Sequence, residues 1–313
     1  MKQTVILVIV DGFGIGNLDE SNPIHAAKPK IISEIQNNFP GGALHASGSV
    51  VGLSWQEEGS SSLGHLMIGG GRIAEEKAMS VIKEVESGKI DINRPVELIH
   101  KTLGEVLTNN EKFQLRVAET ARENQIMYVF SGFRKDPFPN EYRVVIPSER
   151  VARPDEYPEM RAQAITDRLI IAIKEGTFDF ILVNYANADI VASTGNYDAT
   201  IKAVEIIDRE LERVVKAVYE ENHILIVTSS HGNAENVMNL KTGLSQKTND
   251  ASPVPFYIVE KKFVLPKPNE NPFRPHIIGM LPDIAPTILN LMCIPKPDEM
   301  TGESLLPQFG IQT

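Results

Sequence analysis

The sequence predicts an α/β fold, a mostly parallel sheet with helices on both faces. Three observations carry that expectation. Short runs of Val, Ile, Leu and Phe recur with little polar–apolar alternation, as strands buried on both faces require. Segments of helical period lie between them. Polar residues cluster just past several of the runs, and open α/β sheets bind ligands outside the carboxyl ends of their strands.

Taken in order, the first strand is Val5–Val10, ended by Asp11 and by Gly12, which lets the chain turn away sharply. Ile73–Ser87 has helical character. Met127–Phe130 reads as a second strand, and the Pro-rich stretch from Pro137 to Pro158 as a surface loop. Ala162–Lys174 follows as a helix and Phe180–Val183 as a strand, with Asn184, Asn187 and Asp189 behind it. The clearest helix starts after Asp198, where Ile201, Val204, Ile207, Leu211, Val214 and Val218 fall on one stripe. Strands Ile224–Val227 and Phe256–Val259 come next, the former followed by Ser230 and His231. A second Pro-rich loop spans Pro266–Pro275, and Asp283–Met292 closes the series as a helix. No repeat or linker interrupts the chain, so residues 1–313 read as one domain.

Composition narrows the function classes. Hydrophobic residues make up 42% and charged residues 23%, which permits a sizeable core. The net charge of −10, with no basic stripe, argues against nucleic acid as a partner. No run approaches the ~20 apolar residues of a membrane span. Val5–Val10 is too short for a signal-peptide core. The single cysteine, Cys293, sits in the apolar run ILNLMCI and reads as a buried small hydrophobe in a reducing compartment. These features lead us to expect a cytoplasmic protein.

Five motifs could carry chemistry. VDGFGIG (10–16) puts a carboxylate at a strand end, though an ordinary turn would look the same, and its glycines do not match a dinucleotide fingerprint. EEGSSSLGHLMIGGGR (57–72) offers a serine at a helix N-terminus, where backbone N–H groups can meet an anion. A plain N-cap reads identically, and His65 within it suits packing or hydrogen bonding better than ligation. NYANADIVASTGNYD (184–198) contains Asp189, either a metal ligand or a helix-initiating residue. SSHGNAE (229–235) and QKTNDASPVPF (246–256) complete the set. Each is weak alone; their order is specific.

That order, with LRVAETARENQIMYVFSG (115–132) and DIAPTILNLMCIPKPDEMTGESL near the C-terminus, resembles the cofactor-independent (2,3-bisphosphoglycerate-independent) phosphoglycerate mutase family of the alkaline phosphatase superfamily. The resemblance implies a three-layer alkaline-phosphatase-like domain holding two Mn²⁺ ions. It also implies a serine nucleophile that moves phosphate between glycerate hydroxyls, and an inserted domain that grips substrate. A cation pair about 3.5–4 Å apart would clamp the attacking and leaving oxygens. Carried over residue by residue, Asp11 matches the aspartate of the first motif and Ser61 the nucleophile of GNSEVGH. Asp189 matches the aspartate of DMVGHTG, and His231 the histidine of DHGNAE. Arg122 stands at the lysine of AETEKYAH.

Three ligand positions depart from the pattern. Ser193 replaces a histidine, Ser230 an aspartate, and Asn249 the histidine of the loop before the PVPF strand. Neutral hydroxyls are poor ligands for a divalent ion. The resemblance as modified therefore argues against a two-Mn site and leaves either no metal or one weakly bound Mn, Zn or Mg ion. The inserted domain has no room either, because only a short connection around residues 73–116 stands in its place. The favoured reading is a pseudoenzyme kept for binding or assembly, with a protein partner or a second copy of itself. The alternative is a one-metal or metal-free phosphoesterase or phosphotransferase using Ser61; a true mutase comes third.

Overall fold

The computed structural model describes residues 3–55, 57–238, 242–268 and 275–311. Its strands are β1 (Val5–Val10), β2 (Gly41–His45), β3 (Gln114–Glu119), β4 (Glu141–Ile146), β5 (Phe180–Tyr185), β6 (Ile224–Thr228), β7 (Val254–Val259) and β8 (Ile277–Met280). They form one eight-stranded sheet in the order β4-β3-β5-β1-β6-β7-β2-β8. β1 lies at the centre, parallel to β5 and β6, with Val5 opposite both Phe180 and Ile224. β7 runs antiparallel to its neighbours β6 and β2; the other pairings are parallel.

The helices are α1 (Pro23–Ala26), α2 (Lys30–Asn38), α3 (Ser61–Gly70), α4 (Glu76–Glu86), α5 (Leu103–Asn109), α6 (Ala162–Glu175), α7 (Asn187–Ala192), α8 (Tyr197–Glu221) and α9 (Ile284–Leu291). Side chains of β1 alternate between two cores. Val5, Leu7 and Ile9 pack with α3, α4, α5 and α9. Ile6, Val8 and Val10 pack with α2, α6 and α8. Both faces are covered, which is why the central strand shows no polar alternation in sequence. The α8 stripe is buried as its period predicts, and Asn196 caps the helix by accepting the Ala199 N–H. α8 also supplies Asp208, whose carboxylate accepts the N–H groups of Lys30, Ile31 and Ile32 at the start of α2, where the preceding Pro29 makes no side-chain cap.

Three expectations are corrected. Met127–Phe130 is not a strand: Asn124–Val129 forms a π-helical turn that continues into Phe130. The run is apolar because it is buried on every side, and a short run of that kind carries no period to separate helix from strand. The strand is β3, just upstream, whose buried Gln114, Arg116 and Glu119 disguise it as polar. Second, the stretch 137–158 is not all loop, because it contains β4, the edge strand. Of the other Pro-rich stretch, residues 269–274 lie outside the described residues. Third, Cys293 is exposed. It follows α9 with φ +55°, and that left-handed turn swings it away from the core.

The connection around 73–116 consists of α4, a stretch from Ser87 to Thr102 with no helix or strand, α5, and the first residues of β3. No helix among the described residues is long and apolar enough to cross a membrane.

Candidate functional site

The segments singled out in the sequence converge at the carboxyl ends of the central strands. Asp11 leaves the end of β1, its N–H bonded to the Tyr185 carbonyl at the end of β5. Gly12 takes φ +72°, and a Cβ there would lie 2.7 Å from the Cα of Asp189. The glycine thus lets the β1 loop close onto α7. Ser61 opens α3, where Ser60 is the N-cap. Ser230 and His231 follow β6, and Arg122 ends a 3₁₀ turn just beyond β3.

These side chains form a closed network. Asp11 accepts hydrogen bonds from Ser230 Oγ on Oδ1 (2.6 Å) and from Ser61 Oγ (2.8 Å) and Arg122 Nε (2.8 Å) on Oδ2. Asp189 Oδ1 meets His231 Nε2 (3.1 Å) and Asn233 Nδ2 (2.7 Å), while its Oδ2 accepts from Arg122 Nη2. The Ser230 hydroxyl proton goes to Asp11, so Ser230 Oγ accepts from His231 Nδ1, 2.9 Å away. Both ring nitrogens of His231 then carry protons, an assignment that follows from the network. Asp11 and Asp189 are balanced by Arg122 and a cationic His231.

The electrostatics agree. Burial alone would push Asp11 up, but His65, Arg122 and His231 around it prevail and hold its carboxyl below the usual range. Asp189 is likewise buried, yet His231 and Arg122 hold it well below that range. His231 is raised: burial opposes its charge, and Asp189 and then Asp11 outweigh burial. Arg122 is raised against burial by the same two carboxylates, Asp189 first.

The remaining candidates take supporting places. Ser193 Oγ accepts from Asn233 Nδ2 at 3.1 Å. Asn249 Nδ2 donates to the Gly59 carbonyl (2.8 Å), just ahead of Ser61. His65 is fully buried and contacts the Ser61 carbonyl through Nδ1 (2.7 Å), with Nε2 3.4 Å from Asn184 Nδ2. It is the packed, hydrogen-bonded histidine that the sequence suggested. The bridging role of Arg122 was not read from the sequence; the signal was the exchange of a point-charge lysine for a planar fork of donors. Asn233, which ties Asp189 to Ser193, was missed as well.

Glu235 lies beneath the same loops and binds the N–H groups of Gly14 and Asn233, each at 2.9 Å. Burial, with Asp250 nearby, pushes its carboxyl up to about 7. A raised carboxyl pKa means the folded state holds a proton that the unfolded chain releases from its ordinary 4.5 upward. This contribution is complete at low pH and is lost as pH rises through about 7, a change on the order of 3 kcal/mol. Urea unfolding of Glu235→Gln across that window should therefore show a flatter pH profile than the parent.

Comparison with known proteins places the chain in a family. Residues 3–296 match the family model described as the Metalloenzyme superfamily. The 2,3-bisphosphoglycerate-independent phosphoglycerate mutase of Ehrlichia canis is 39% identical over 236 residues, covering 75% of this chain and 45% of that protein. The corresponding protein of Acinetobacter baylyi is 42% identical over 211 residues, covering 67% and 39%. The chain thus spans less than half the length of these relatives. A crystal structure of the phosphoglycerate mutase of Leishmania mexicana, at low cobalt concentration, superposes with a TM-score of 0.80 at 16% identity, covering 97% of each chain. That likeness is one of fold.

Proposed function

The chain belongs to the metalloenzyme superfamily and has its alkaline-phosphatase-like fold, and from that premise we propose that it is a phosphoglycerate-mutase-like pseudoenzyme with a binding or assembly role. One observation carries the reading: Arg122 pairs with both Asp11 and Asp189, the two carboxylates that an ion pair would need. The residues present do not fit two divalent ions. Each oxygen of the two carboxylates already accepts a hydrogen bond, and both nitrogens of His231 are engaged. A cation entering here would stand against a guanidinium and an imidazolium. In the arrangement they take with Arg122 between the carboxylates, no group of three His, Cys, Asp or Glu among the described residues could hold a metal.

Metal-free chemistry at Ser61 is the second reading, favoured by the placement of its Oγ at the first turn of a ten-residue helix, bonded to a carboxylate. That carboxylate is a poor base, because His65, Arg122 and His231 together outweigh burial, hold it ionised at low pH and weaken its pull on the serine proton.

Exposed apolar side chains on the loop ahead of α3 support a binding role. Trp55 is 81% exposed and Val50 44% exposed, and Gly52 of the same loop abuts Ile73. The role is tested by incubating the protein with 3-phosphoglycerate and Mn²⁺ in the absence of bisphosphoglycerate. No 2-phosphoglycerate above the blank is expected. Turnover would overturn the reading, and a phosphoserine found at Ser61 by mass spectrometry would favour the second one.

A further inference from the structure

We propose that Arg122 is the resident counter-cation of this site: its guanidinium takes the place of divalent metal and makes the cleft independent of it. The inference deepens the pseudoenzyme reading and rests on the same side chains.

The geometry supports a fixed cation rather than a passing surface pair. Nε reaches Asp11 Oδ2 at 2.8 Å, Nη2 reaches Asp189 Oδ2, and Nη1 donates to the Ala121 carbonyl at 3.2 Å. One edge of the planar group therefore spans two carboxylates, one just past the end of β1 and one on helix α7. A lysine ammonium carries the same charge but lacks the rigid fork that sets their separation. The turn that delivers Arg122 is itself tied down. Ser148 Oγ accepts the Ala121 N–H (3.0 Å) and donates to Glu119 Oε2 (2.7 Å), the last residue of β3. The Arg122 side chain is 14% exposed, against 0% for Asp11 and 8% for Asp189, so solvent screens the pairs weakly.

Take the guanidinium away and two buried carboxylates face each other with only the imidazoles of His231 and His65 as basic groups beside them. Such an arrangement must capture a proton or a metal ion, or lose stability. Ser61 and Ser230 remain beside it as oxygen ligands, and His231 becomes a nitrogen ligand on losing a proton. The substitution Arg122→Met should therefore create a dependence on divalent cations that the parent lacks.

The test is thermal unfolding of the full chain in excess EDTA and in millimolar Mn²⁺, for the parent, Arg122→Met, Arg122→Lys and the double variant Arg122→Met/Asp189→Asn. The parent Tm should be the same in both solutions. Arg122→Met should fall by ~5–10 °C in EDTA and recover in Mn²⁺. The double variant, with one carboxylate neutralised, should lose the response to Mn²⁺. A parent Tm that drops in EDTA overturns the proposal, and so does an Arg122→Met Tm that Mn²⁺ fails to raise. Should Arg122→Met not fold, the parent and Arg122→Lys decide: a Tm indifferent to EDTA in both supports the proposal, and an EDTA-sensitive one overturns it. Mutase turnover by the parent would refute the pseudoenzyme reading alone, since it is scored separately from the Tm series.

Discussion

Arg116→Met is expected to lower stability by about 3–5 kcal/mol, measured by urea unfolding. Arg116 lies on β3 with no exposure, its Nη2 3.2 Å from Glu141 Oε2 on β4. Nη1 donates to the Ile126 carbonyl of the π-helical turn (2.9 Å), and the guanidinium sits 5.2 Å from the Phe130 ring centre. Methionine approximates the length and apolar stem but removes the charge and the donor to Ile126. Glu141 would keep Arg143 as a partner, so the loss should fall toward the lower end of that range. Because a buried pair is costly mainly when one partner is orphaned, Arg116→Met/Glu141→Gln should be less destabilised than the single variant. Equal losses in the two would place the energy in packing around Phe130 instead.

Gly64→Ala should cost about 3 kcal/mol or more, an overpacking effect with nowhere to relax. A Cβ at Gly64 would lie 2.2 Å from the Ser230 carbonyl oxygen, and backbone cannot yield as a side-chain tip can. Helix α3 approaches the end of β6 this closely so that Ser61 and Ser230 can both reach Asp11. Gly70→Ala in the same helix is the control: its nearest neighbour is 3.8 Å away, and alanine should be neutral or stabilising by up to ~1 kcal/mol. Equal destabilisation in the two variants would mean that helix conformation, not the close approach, is responsible.

The central sheet was legible because burial on two faces leaves a plain mark, runs such as VILVIV and FILV without alternation. The long helix α8 was legible because one stripe repeats over 25 residues. What escaped had its pattern cancelled by local circumstance. β3 carries a buried Arg116 whose partner is distant in sequence, and the segment after it is apolar without being a strand. β2, rich in small residues at GGALH, pairs with β7 and β8 from far along the chain. Gly41 and Gly42 are needed there because a Cβ would meet Tyr257 or Ile278.

Motif order singled out Asp11, Ser61, Asp189 and His231, which the fold brings together, and marked Ser193, Ser230 and Asn249 as departures from the family pattern. What those departures do was not legible. Ser230 looks in sequence like an acid lost, whereas in the fold it relays a hydrogen bond between Asp11 and His231. Arg122 looks like a conservative exchange for lysine until its two carboxylate partners, 111 and 67 residues away, are seen together. Long-range convergence of this kind is a property of the sheet order, which no local pattern encodes.

The most direct test of a metal-free site is a metal count. Protein saturated with Mn²⁺, passed over a desalting column and analysed by elemental mass spectrometry, should retain less than one equivalent per chain. Two retained equivalents, lost on substitution of Asp11 or Asp189, would contradict the account.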